Sequence, residues 1–138
     1  MSFPIVRDGL RTDHNGWKVV KEGRAYTITR TVTLTATANQ QVEIPFPLPG
    51  ARSKGFQLNK VSIFYDDATA KDHEFRAYAS ESPNSYEAYM TKTTDTAQPH
   101  NAQFGVEYRY LTLKRLLFNW SNTTDGKTAD ITVTGEEF

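Results

Sequence analysis

The sequence predicts an all-β protein: a single antiparallel β-sandwich of eight or nine strands, with jelly-roll or Greek-key-like wiring and an extended N-terminal arm. Three observations carry that expectation. The stretch "YTITRTVTLTAT", residues 26–37, alternates strictly, with Thr at every odd position and Tyr26, Ile28, Val32 and Leu34 among the even ones. The chain holds 18 threonines, few leucines and no run with helical periodicity, a composition that favours strands. Short apolar runs are separated by Gly, Pro, Asn and Asp clusters at regular intervals.

The totals fit one domain. At 138 residues the chain can bury roughly 70% of its unfolded surface without staples. The 8 Phe, 7 Tyr and 2 Trp supply large buried areas. No Cys is present, which excludes disulfides, thiolate zinc sites and cysteine nucleophiles. Lys+Arg and Asp+Glu both total 16, so neither a nucleic-acid nor a membrane partner is expected. The opening residues lack the basic and apolar regions of a secretory signal, and no apolar run approaches the ~20 residues of a membrane span.

Residues 1–16 read as the extended arm, and 17–138 as the sandwich. "WKVVK" is a short strand, Glu22-Gly23 a turn and 24–37 a long strand. Arg30 interrupts the apolar phase of that strand, and a bend is expected there. "QQVEIPF" turns Val42, Ile44 and Phe46 inward, and Pro45, Pro47 and Pro49 then close it. Proline cannot donate to a ladder, so this strand belongs at a sheet edge. "GARSKG", residues 50–55, is a basic loop. In "FQLNKVSIFY" the inward phase shifts from Phe56/Leu58 to Val61/Ile63/Tyr65, which places a bulge at Asn59-Lys60. "HEFRAYAS" and "YEAYMTK" are strands, and 92–103 is a long polar loop. "FGVEYRYLTLK", "RLLFNWS" and "TADITVTG" complete the set, with Asp125-Gly126 as a tight-turn signal between the last two.

No motif for catalysis appears, and an enzyme is not expected. No cofactor or metal site is expected either. His14, His73 and His100 stand alone, and the acidic turn of Asp66, Asp67, Asp72, His73 and Glu74 lacks the spacing of a calcium loop. "NWS" and "NTT" match the glycosylation pattern by chance. The threonine row suits an ice-binding array only if parallel rows flank it, and the other short row is Thr132 and Thr134, with Thr128 further back. It reads better as an outer strand face that tolerates water and a neighbouring subunit.

The closing segment "RLLFNWSNTTDGKTADITVTGEEF" resembles the last hairpin of small β-sandwich virion accessory proteins of tailed bacteriophages, the capsid decoration type. The resemblance implies a structural virion protein, made in the host cytoplasm, acting by self-association as a homo-oligomer. Its other partners would be virion proteins such as a major capsid protein. The candidate interface is Phe3, Pro4, Ile5 and Val6 in the arm together with Pro45, Pro47 and Pro49. The alternative is a carbohydrate-binding module or the receptor-binding domain of a phage fibre, with Tyr86, Tyr89 and Trp120 as candidate stacking rings.

Overall fold

In the computed structural model, the first turn has Asn15 at φ 52° and Gly16 at φ 91°. Two central residues at positive φ make the type I′ turn whose twist matches a hairpin. It joins β1 (Leu10–His14) to β2 (Trp17–Glu22), with His14 opposite Trp17. Residues 10–14, expected within an extended arm, are therefore a strand. Gly23, at φ 62°, turns the chain again into β3 (Ala25–Thr33). The structure describes residues 9–35, 40–66, 72–79, 91–94, 101–121 and 126–138.

Seven further strands follow: β4 (Gln40–Pro45), β5 (Phe56–Tyr65), β6 (Asp72–Ala79), β7 (Thr91–Thr94), β8 (Asn101–Tyr110), β9 (Leu113–Ser121) and β10 (Thr128–Glu137). Among the described residues this makes ten, not eight or nine, and β1 is the addition. All pairings are antiparallel, in a six-stranded sheet of order β1-β2-β3-β10-β5-β8 and a four-stranded sheet of order β4-β9-β6-β7.

Both sheets feed one core. Trp17, Val19, Ile28, Leu58, Val61, Ile131 and Val133 are buried from the larger sheet, and Ile44, Phe75, Leu116, Phe118 and Trp120 from the smaller. The rings of Trp17 and Phe118 meet across the interior with centroids 5.7 Å apart. The bulge expected at Asn59 is present. The ladder to β8 shifts register between Leu58 and Lys60, and the ladder to β10 shifts between Thr134 and Gly135. One extra residue restores the inward phase, so Val61 and Ile63 are buried like Leu58.

No register shift accompanies Arg30, where a bend is expected. Pairing with β10 runs from Ala25 to Thr33 without a shift. What changes is the other neighbour, because pairing with β2 stops at Lys18 and Thr29. The half-buried guanidinium lies 5.5 Å from the Trp17 ring centroid and donates to the Asn15 carbonyl at 3.4 Å. A cation on the inward phase is accommodated where its flanking strand ends.

The last two strands do not pair with each other. β9 lies between β4 and β6, whereas β10 lies between β3 and β5. The connection crosses from one sheet to the other, and Gly126, at φ 85°, donates its N–H to Leu34 at 2.9 Å. Paired on both sides, β10 forms more ladder bonds than a terminal hairpin would allow. Of the expected polar loop, 92–94 belong to β7 and 101–103 to β8, and 95–100 lie outside the described residues. β-branched Thr91, Thr93 and Thr94 suit a strand.

The outer face of β3 explains its threonines. Thr27, Thr29 and Thr33 stand opposite Thr134, Thr132 and Thr128 of β10, and Thr31 donates to Asp130 Oδ1 at 2.7 Å. Each Thr–Thr pair contributes roughly 0.2–1 kcal/mol to the sheet.

Candidate functional site

β4 is an edge strand, as the prolines require, but its edge is largely closed by the chain itself. The Phe46 N–H donates to the Lys114 carbonyl at 2.9 Å. Even-numbered residues of β4 thus face β9, and Glu43 and Pro45 turn their backbone groups outward. The Trp17 indole N–H donates to the Glu43 carbonyl at 2.8 Å, and His14 Nε2 lies 2.7 Å from the Pro45 carbonyl. A carbonyl only accepts, so the His14 proton sits on Nε2. Pro45 has no N–H to offer. The β1–β2 hairpin therefore caps the edge that the sequence offered as a contact surface.

Of the other expected interface residues, Pro47 is exposed and Pro49 half-buried. Phe3, Pro4, Ile5 and Val6 lie outside the described residues. The described chain begins at the same end of the molecule, where a Cβ placed on Gly50 would stand 2.8 Å from Leu10 Cδ2. That end also gathers the β8–β9 turn with Leu111, 72% exposed, and the close of β10.

Between residues 46–48, 51–56 and 112–114 the surface opens into a cleft of about 550 Å³. Its floor is apolar: Leu48, Phe56 and Leu113 are buried, and Phe46 meets Phe56 edge-on with centroids 5.1 Å apart. Its rim is cationic, with Arg52, Lys54 and Lys114 all exposed. Tyr26 closes the back, and its hydroxyl donates to the Pro49 carbonyl at 2.9 Å.

A buried ion pair fixes the loop that walls this cleft. Glu137 Oε2 lies 3.0 Å from Lys21 Nζ. Its Oε1 accepts from the Arg52 N–H at 2.8 Å and the Ser53 N–H at 3.3 Å. Burial alone would push the Glu137 carboxyl up, but the Arg52 N–H, the Lys21 ammonium and the Ser53 N–H together hold it below its ordinary value. Tyr26 is pushed up to about 12, chiefly by burial and then by the Glu137 charge. The carboxylate is thus held ionised with both oxygens occupied, the arrangement of a fastener for the 50–55 loop.

Of the expected stacking rings, Trp120 is not available to a ligand. Trp120 is 1% exposed, lies parallel to Phe118 with centroids 6.4 Å apart, and donates its N–H to the Tyr65 hydroxyl at 2.8 Å. Burial among core rings leaves it no face for a sugar. Tyr86 and Tyr89 lie outside the described residues. In the acidic turn, Asp66 is occupied in accepting the Thr128 N–H at 2.7 Å. No metal-binding group of three or more His or carboxylate residues occurs among the described residues.

The sequence expectations assign no role to Lys21, Glu137 or Arg52, yet a signal exists for Lys21 and Glu137. Lys21 continues the inward phase of Trp17 and Val19, and Glu137 that of Ile131 and Val133. Opposite charges on two buried phases are the pattern of a buried pair. Neither the protein-family models nor the curated proteins compared with this chain include a match to it.

Proposed function

We propose that the protein is a structural virion component of the phage capsid decoration or head/tail accessory kind, acting by protein–protein contacts and self-association. The observation that carries this reading is the strand order. Numbered from β3, the eight strands run 1-8-3-6 in one sheet and 2-7-4-5 in the other. That order supports a jelly-roll sandwich, in which an antiparallel ribbon folds over, with β1–β2 extending one sheet. Jelly rolls serve in viral capsids and in lectins. The strand order reaches function by analogy of fold, and an exposed contact surface supports it. Exposed Pro47 and Leu111, beside the cleft and the root of the 1–8 segment, offer apolar anchors, whereas the capped β4 edge disfavours association by strand addition.

Mass photometry of the purified protein, with immunogold imaging of the parent particle, tests the reading. A discrete oligomer and a label in fixed register on the virion are expected. Leu111→Glu, or removal of residues 1–8, should weaken assembly while the sheets stay folded by circular dichroism. A monomer at micromolar concentration that leaves particles unlabelled would sink it.

A further inference from the structure

We infer that the cleft between residues 46–48, 51–56 and 112–114 is a binding site for a single-chain apolar carboxylate, a fatty-acid-like anion. Its volume of about 550 Å³ lies inside the range of roughly 300–1,000 Å³ in which small-molecule sites fall. The floor offers Phe46, Leu48, Phe56 and Leu113 to an alkyl chain.

Charge decides the head group. Among the described residues, the one acidic residue lining the cleft is Glu137, and its charge is already matched by Lys21 and two backbone N–H groups. Arg52, Lys54 and Lys114 stand around the opening, and none of their side chains forms an ion pair among the described residues. An apolar floor under three unmatched cations favours an amphiphile with a negative head. It disfavours a cationic amphiphile by like-charge repulsion and a neutral one by the absence of any gain at the rim. The Glu137 fastener holds Arg52 at the mouth before a ligand arrives, which lowers the ordering cost of binding.

This site is independent of the virion role and fails or stands separately from it. Isothermal titration of the full chain with sodium decanoate, below its micellar concentration, is the test. One decanoate per chain is expected, with decanol and decyltrimethylammonium weaker by about tenfold or more. The exposed double substitution Arg52→Ala/Lys114→Ala should weaken decanoate by about tenfold and leave decanol unchanged. Ala51→Trp, at an exposed position in the lining, should block the cleft with the core untouched. Equal binding of decanol and decanoate, or decanoate binding that survives Ala51→Trp, overturns the proposal. So does binding that appears only after residues 1–8 are removed, because the chain's own segment is then the occupant. Absence of heat with decanoate at about 1 mM at both about 15 °C and about 35 °C, between which the heat-capacity change of apolar burial would make binding visible, overturns it as well.

Discussion

The indole N–H of Trp17 donates to the carbonyl of Glu43 across 2.8 Å, joining the larger sheet to the edge of the smaller one. Trp17 is fully buried against Phe118, so one side chain both packs the core and closes an edge. Trp17→Phe keeps much of the apolar contact and removes the donor. It should cost about 1–3 kcal/mol in urea unfolding, the penalty of a stranded carbonyl. The reopened edge should also raise association in light scattering. Wild-type stability in this variant would show that the bond is dispensable.

Lys21→Met should be more damaging. It leaves the Glu137 carboxylate, 4% exposed, without its ammonium partner. Breaking a buried pair from one side costs about 3–5 kcal/mol. Adding Glu137→Gln in the same chain should recover part of the loss, because the neutral amide still accepts from Arg52 and Ser53. If the double variant unfolds at a lower temperature than the single one, the two residues do not act as a pair.

The same carboxyl sets an acid limb on stability. Its folded pKa lies below the ordinary 4.5, so the unfolded chain takes up the proton first as pH falls. The stabilisation is complete above pH ~4.5 and is lost as pH drops through the folded value. Denaturant midpoints from pH 7 to pH 3 should therefore fall less steeply in Glu137→Gln than in wild type. Parallel curves would place the acid sensitivity elsewhere.

Gly135 should not tolerate a methyl group. It follows the register shift in β10, and a Cβ there would run into the Gln57 carbonyl and lie 2.5 Å from the Phe56 ring. Gly135→Ala should cost about 1–3 kcal/mol or more, since backbone on one side and a packed ring on the other cannot both yield. Gly9→Ala, with nothing within 4 Å of the added atom, is the control and should leave the melting temperature unchanged.

The strands were legible wherever one face is buried and the other is not. The alternation from Tyr26 to Leu34 marks β3, and the change of phase after Leu58 marks the bulge, because both are local consequences of burial. Partnership was not legible. Asp125-Gly126 promises a hairpin, and Ile131 with Val133 promises a strand, but neither says that β10 leaves β9 for a slot between β3 and β5. That choice depends on residues about 100 positions away in sequence. Trp120 shows the same limit. A tryptophan on an amphipathic strand suits a sugar platform and a core equally well until its indole meets Tyr65. Lys21 and Glu137 were readable in principle, by the reasoning that singled out Arg30, as charges on a buried phase.

The central position of β10 dictates when the protein can fold. β3 and β5 flank the same slot in the larger sheet, and each waits there for residues 128–137. During synthesis, β3 leaves the ribosome about a hundred residues before its partner in this slot. The nascent chain therefore carries two unsatisfied strand edges until residues 128–137 have emerged, the condition under which chaperones engage and stalled or truncated chains aggregate.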